Sequence, residues 1–161
     1  MNITTEQTAV LEMRHLVAAP RNRVFAAWTT PKEIQHWFGP ESCRVQSARV
    51  DLNVGGEYCF EVFSQRMGEV KIRGAYKEIV VPERLVYTWK CEFDKDLSAE
   101  ESLVTVDFID LGSSTEIRLK HEQLPNDDVR QDHEHGWIGT FEKLERYLRV
   151  ASKVSRFYRA F

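Results

Sequence analysis

Between Cys43 and Leu124, apolar and polar side chains alternate along most of the chain. This period of two is typical of β-strands that have one face in water and one face in a core, and it favours an antiparallel sheet. Gly55-Gly56 and Pro82-Glu83 interrupt the alternation and predict turns. The clearest strand places one set of side chains on the dry face: Leu85, Tyr87, Trp89, Cys91 and Phe93. The segment therefore predicts about six consecutive strands.

The residues before this segment predict one more strand and two short helices. Val10 to Ala18 alternates and is expected to be a strand. Arg21 to Trp28 has its apolar residues at helical spacing, and Pro31 to Trp37 follows as a second short helix that stops at Gly39-Pro40. Thr30 before Pro31 is expected to cap this second helix.

A long amphipathic helix is predicted from about Asp128 to at least Leu148. Its apolar stripe is Trp137, Phe141, Leu144 and Leu148, and the dry face of the sheet is its natural partner. Apolar residues continue at helical spacing through Phe161. Two interpretations stay open for residues 149–161: a helical extension that packs on its own domain, or one that contacts a second subunit and makes a homodimer.

Size and charge narrow the class of protein. A chain of 161 residues predicts one domain, 1–161, with a core at about 8–148 and a C-terminal extension at 149–161. The net charge of −3 and the lack of a basic stripe disfavour nucleic-acid binding. No stretch approaches the roughly 20 apolar residues of a membrane span. Residues 1–7 carry no apolar signal core, and the three cysteines are widely spaced, so we expect a cytoplasmic protein with reduced thiols.

Several short motifs, in this order, resemble the activators of heat-shock-protein-90 ATPase homologues, within the START-like (SRPBCC) superfamily. They are Ala19-Pro20, Val24 to Thr29, Trp37 to Pro40, Asp51 with Gly55-Gly56, Gly74 to Tyr76, Pro82 to Trp89, His121-Glu122 and His133 to Trp137. The resemblance covers about Val10 to Leu148. It implies an α+β helix-grip fold: a curved seven-stranded antiparallel sheet wrapped around a long C-terminal helix, with two short helices between the first and second strands. It also implies a cavity for a hydrophobic ligand.

The dry face and the long helix supply the candidate ligand-binding residues. These are Phe60, Tyr76, Tyr87, Trp89, His121, Trp137 and Phe141. His121 continues an inward-facing stripe and could orient a ligand or transfer a proton, although a structural histidine bonded to backbone at the strand end is the preferred interpretation. His15, on the apolar face of the first strand, is interpreted as structural.

Neither a metal site nor a cofactor is predicted. His133 and His135 are two residues apart on a helix and do not share a face, so they are expected to be one packed and one surface residue. A HExxH motif, a nucleophile elbow, a phosphate loop and a dinucleotide fingerprint are missing from the sequence. No catalytic residue is assigned.

Three functions follow from these observations. The preferred hypothesis is a binding protein for a small hydrophobic or aromatic molecule, held between the sheet and the C-terminal helix. The alternatives are a cyclase- or hydrolase-like enzyme that uses the same cavity, and a chaperone-associated protein-interaction module.

Overall fold

The computed structural model describes residues 8–93 and 100–159, with side chains as far as Arg149. These residues contain one seven-stranded sheet in which every neighbouring pair is antiparallel. The strands are β1 (Ala9–Val17), β2 (Cys43–Val50), β3 (Glu57–Ser64), β4 (Gly68–Val80), β5 (Arg84–Phe93), β6 (Ser102–Asp110) and β7 (Thr115–Leu124). Their spatial order is β1-β7-β6-β5-β4-β3-β2, so the first strand pairs with the last. The predicted α+β helix-grip architecture is confirmed.

Two short helices and one long helix complete the fold. They are α1 (Arg21–Thr29), α2 (Pro31–Trp37) and α3 (Asp127–Arg159). The predicted side-chain cap at Thr30 is wrong: Thr30 stands at the N-cap position, but its hydroxyl donates to the carbonyl of Ala26 at 2.6 Å. Helix α3, in contrast, does have a side-chain cap: the Oδ1 of Asn126 accepts a hydrogen bond from the Val129 amide at 2.9 Å.

The sheet contains β-bulges within strand pairs and a glycine turn between β2 and β3. Register shifts in the β1–β7, β2–β3 and β4–β5 pairs mark bulges, which bend a strand and increase its twist. The predicted turn between β2 and β3 is present. Gly55 has a φ of +86°, and a Cβ on Gly56 would lie 2.2 Å from the Asp51 carbonyl oxygen, so both positions favour glycine.

Helix α3 buries its stripe against the dry face of the sheet. Trp137, Phe141, Leu144 and Leu148 are all buried, as predicted. Phe93 is not on the dry face as expected: it is 41% exposed, because it is the last residue of β5. Helix α3 continues to Arg159, but the side chains of the apolar tail lie outside the described residues, as do residues 1–7, 160–161 and most of the predicted charged loop at 94–101.

No helix in the described ranges is both long enough and apolar enough to cross a membrane.

Candidate functional site

A small interior space lies between the α1–α2 pair and strands β3 to β5. Its volume is about 10 Å³, which is room for about one water molecule. Eight side chains line it, and seven of them are aromatic: Trp28, Ile34, Trp37, Phe38, Tyr58, Phe60, Tyr76 and Tyr87. We call this set the aromatic chamber. Ligand pockets are typically a few hundred Å³, so in this conformation the chamber is too small to hold a ligand.

Four polar tips of the chamber are bonded to one another or to backbone. The indole N–H of Trp28 donates to the hydroxyl of Tyr87 at 3.3 Å, and the hydroxyl of Tyr58 donates to the carbonyl of Thr88 at 2.6 Å. The indole N–H of Trp37 donates to the carbonyl of Ala27 at 2.9 Å. Burial raises the pKa of Tyr58, Tyr76 and Tyr87 well above the ordinary tyrosine range, so these phenols are neutral.

Aromatic side chains pack together in the space that was predicted between the sheet and the C-terminal helix. Trp137 stacks near Trp28 and Trp89, with ring centroids 6.2 and 5.3 Å away. Phe141 packs on Trp137 at 6.0 Å and stacks flat on the ring of His15 at 5.2 Å. These contacts pack the middle of α3 onto the sheet, and the small space described above is lined by no residue of α3.

A second group of buried side chains surrounds His121, which is fully buried on β7. Its Nε2 lies 2.7 Å from the hydroxyl of Ser102, and its Nδ1 accepts the indole N–H of Trp137 at 3.2 Å. Because Nδ1 accepts a hydrogen bond, the neutral ring carries its proton on Nε2 and donates it to Ser102. Ser102 in turn donates to the carbonyl of Trp89 at 3.3 Å. We call His121, Ser102, Trp89 and Trp137, with the adjoining His133, the histidine cluster.

His121 is therefore buried, neutral and fully hydrogen-bonded. Burial, together with the proximity of His133, lowers its pKa to about 2. The ring is not expected to take up a proton near neutral pH, because both of its nitrogens are hydrogen-bonded and burial strongly disfavours the charged form. The inward orientation was predicted, but the expected backbone partner was not found: its partners are two side chains. This geometry gives no support to proton transfer by His121.

The two helix histidines divide as predicted, into one packed and one exposed residue. The ring of His133 lies 4.8 Å from that of His121 in an edge-to-face arrangement, and its Nδ1 donates to the Val129 carbonyl at 2.8 Å. Burial lowers the pKa of His133 as well. In the described part of the chain, no three histidine, cysteine or acidic residues are arranged to hold a metal ion.

The seven predicted ligand-binding residues thus fall into separate groups. Phe60, Tyr76 and Tyr87 line the aromatic chamber, Trp89, His121 and Trp137 belong to the histidine cluster, and Phe141 attaches α3 to β1. The prediction did not include Ser102 or the five other residues that line the chamber, which are Trp28, Ile34, Trp37, Phe38 and Tyr58. Trp28 and Tyr58 belong to apolar stripes of their own elements and could have been included on that pattern, whereas nothing in the local sequence marks Ser102.

Polar contacts join α2 to α1 and to α3, and α3 to Cys43 at the start of β2. Glu33 on α2 receives an ion pair from Arg23 at 2.6 Å and a hydrogen bond from the hydroxyl of Tyr147 at 2.8 Å. His36 stacks on the ring of Tyr147 at 5.5 Å. Lys143 donates to the carbonyl of Cys43 at 3.3 Å, and burial lowers its pKa. We call these contacts the rim.

Comparisons with known proteins agree with this architecture. Residues 18–149 match the family model described as Activator of Hsp90 ATPase homolog 1-like protein. No curated protein matches the sequence. Among solved structures, the fold is similar to that of an AHSA1 protein from Silicibacter pomeroyi, at 23% identity and a TM-score of 0.79, over 89% of this chain and 99% of that one. A protein from Chromobacterium violaceum is similar at 24% identity and a TM-score of 0.75, over 85% and 94%. Likenesses at these identities concern the fold alone.

Proposed function

The chain belongs to the family of Activator of Hsp90 ATPase homolog 1-like proteins, and we propose that it binds a small apolar molecule, about the size of one aromatic ring, in the aromatic chamber. The fold of the family supports a ligand-binding role in general terms. The more specific proposal depends on one observation, the aromatic lining that encloses a residual space between two short helices and the sheet.

The composition of this lining favours an apolar ligand. Binding sites for small molecules are mostly apolar and aromatic with a few placed polar groups, and the chamber has the same composition. Its phenols and indoles offer hydrogen-bonding tips without formal charge. A lining this rich in aromatic rings can also make edge-to-face contacts with a guest ring, each worth about 0.5–1.5 kcal/mol beyond burial.

Binding requires the chamber to open, and the rim is suited to that. Its ion pair and hydrogen bonds join partly exposed side chains, with Arg23 35% and Glu33 20% exposed. Ion pairs near the surface contribute about 0–1 kcal/mol, so they can break and form again at small cost. The Arg23–Glu33 ion pair joins α1 to α2 and is kept if the two helices move together, so their separation from α3 breaks the Tyr147–Glu33 hydrogen bond and the stacking of His36 on Tyr147.

Calorimetric titration with isopropylbenzene tests the proposal. We expect saturable binding with a negative heat-capacity change, which marks the burial of apolar surface. Ile34→Val removes one methylene from the lining, and Ile117→Val removes one from the buried face of β7, away from the chamber. We expect up to about fourfold tighter binding for Ile34→Val, since a methylene corresponds to about 0.8 kcal/mol, and an unchanged Kd for Ile117→Val.

Two results would contradict the proposal. The first is no saturable binding of isopropylbenzene to the wild-type protein. The second is a Kd that responds equally to the two isoleucine substitutions, which would place the probe elsewhere or in no defined site.

A further inference from the structure

The indole N–H of Trp89 is buried and has no hydrogen-bond partner. Among the described residues, no other buried side-chain nitrogen or oxygen lacks a partner. Trp89 itself is 7% exposed. An unsatisfied donor in a protein interior costs about 1–3 kcal/mol, so natural proteins rarely keep one without a reason. The donor therefore needs an explanation.

The aromatic neighbours of Trp89 make no hydrogen bond to its indole N–H. Both nitrogens of His121 and the indole N–H of Trp137 are already committed to hydrogen bonds. The Nδ1 of His133 donates to Val129, which leaves Nε2 of that ring as an acceptor, but the ring stands edge-to-face to Trp89 with centroids 6.1 Å apart and no hydrogen bond joins the two side chains. The fourth neighbour, Phe38, has no polar atom in its side chain and lies 6.0 Å away.

Phe38 contacts both the aromatic chamber and Trp89. Its ring lines the chamber, and its centroid lies 4.8 Å from that of Phe60 and 6.0 Å from that of Trp89. Phe38 follows the last residue of α2 and precedes Gly39, which has a φ of +83°. A displacement of this ring would join the chamber to the Trp89 donor and make one larger space.

The fully buried side chains around this joined space carry no formal charge. The buried polar residues in the described part of the chain are serines, threonines and His121, without any aspartate, glutamate, lysine or arginine. Burial keeps His121 and His133 neutral by lowering the pKa of each. The ammonium group of Lys143, which is only half-buried, donates to the carbonyl oxygens of Phe38 and Cys43 at 3.5 and 3.3 Å. A charged ligand would find no counter-charge among the fully buried side chains, which is unfavourable.

We propose that the ligand of the aromatic chamber is a neutral molecule with one hydrogen-bond acceptor, such as an aryl ketone, and that the indole N–H of Trp89 donates to that acceptor after Phe38 moves aside. This inference rests on the function proposed above and adds the chemical class of the ligand. It also assigns Trp89 as the residue that fixes the ligand's orientation.

Acetophenone and isopropylbenzene form a matched pair of probes, because a carbonyl oxygen in one stands where the other has a methyl group. The protein has four tryptophans, so ¹⁵N-labelled protein gives four indole N–H resonances. The resonance that disappears in Trp89→Phe is that of Trp89. We expect acetophenone to move this resonance downfield in the wild-type protein, and isopropylbenzene to leave it without a downfield shift.

Affinities supply the second measurement. We expect the ratio of the acetophenone Kd to the isopropylbenzene Kd to rise by about threefold to tenfold in Trp89→Phe, the value of one neutral hydrogen bond. Ile117→Val is the control, since Ile117 is buried outside the chamber lining and has no polar group, and the ratio should stay the same. Sodium benzoate should not compete with acetophenone.

The outcomes separate this inference from the proposed function. An unmoved Trp89 resonance, or the same ratio of Kd values in the wild type and Trp89→Phe, overturns the role of Trp89 while isopropylbenzene binding still stands. Competition by benzoate at equal strength overturns the requirement for a neutral ligand. If neither probe binds saturably, both proposals fail. If Trp89→Phe is unstable, the Trp89 resonance is identified as the one that remains in Trp28→Phe, Trp37→Phe and Trp137→Phe, so the wild-type shift still gives an answer.

Discussion

Acidification should destabilise this protein through His121 more than through an ordinary histidine. The ring is fully buried, donates to Ser102 and accepts from Trp137, so folding requires its neutral form. In the unfolded chain a histidine has a pKa of about 6.5. In the folded protein burial lowers the pKa of His121 to about 2.

The sign and size of the effect follow from these two values. Below pH 6.5 the unfolded chain takes up a proton that the folded chain does not, so the free energy of unfolding falls as the pH falls. The full slope is about 1.4 kcal/mol per pH unit, and it is only partly developed near pH 6.5. Between pH 7 and pH 5 the loss from His121 is therefore about 2 kcal/mol. This figure changes little if the folded pKa lies anywhere below about 4, and burial of His133 acts in the same direction.

Urea denaturation at pH 7 and pH 5 measures this loss. We expect the wild-type protein to lose about 2 kcal/mol more than His121→Gln over this interval, since glutamine does not titrate. His135→Gln, which replaces an exposed histidine on α3, is the matched control and should behave as the wild type. An equal loss in the wild type and His121→Gln would refute the argument that His121 is held neutral.

Three substitutions and one measurement of thiol reactivity test the packing further. Gly74→Ala should destabilise the protein by more than about 3 kcal/mol in thermal unfolding, because its Cβ would lie 1.8 Å from a backbone carbonyl oxygen. A Cβ on Gly136 meets nothing within 4 Å, so Gly136→Ala should stabilise α3 by up to about 1 kcal/mol in the same measurement. Trp137→Phe leaves Nδ1 of His121 without a donor and should cost about 1–3 kcal/mol by urea denaturation; no loss would mean that this hydrogen bond is unimportant. Burial raises the pKa of Cys91 to about 11, so at pH 8 its thiol should react with Ellman's reagent only after unfolding, and fast reaction in the folded protein would contradict its burial.

Local patterns in the sequence were enough to predict most of the fold. Period two identifies a strand from its own side chains, and the stripe that includes Trp137 and Phe141 identifies α3 in the same way. The turn at Gly55-Gly56 depends on backbone conformation, which glycine alone makes easy. Each of these features is decided within a few residues, so the sequence carries them directly.

The details of the site could not be predicted, because they depend on how distant segments meet. Ser102 contacts His121 only through the register of β6 against β7, and Trp137 reaches the same ring only through the rotation of α3. The small volume of the chamber depends on the sizes of side chains from separate elements, such as Trp28 on α1 and Tyr58 on β3. Neither register nor volume is visible in the periodicity of a single strand or helix.

The most direct test of ligand binding is whether isopropylbenzene reaches the inside of the chamber. Protein labelled with ¹³C at isoleucine methyl groups allows a search for nuclear Overhauser effects between protein and probe. Ile34 lines the chamber and is 1% exposed, whereas Ile138 lies on the outer face of α3 and is 42% exposed. We predict contacts from the probe to the Ile34 methyl groups, assigned with Ile34→Val. Contacts to Ile138 alone, or to no isoleucine at all, would contradict binding in the aromatic chamber.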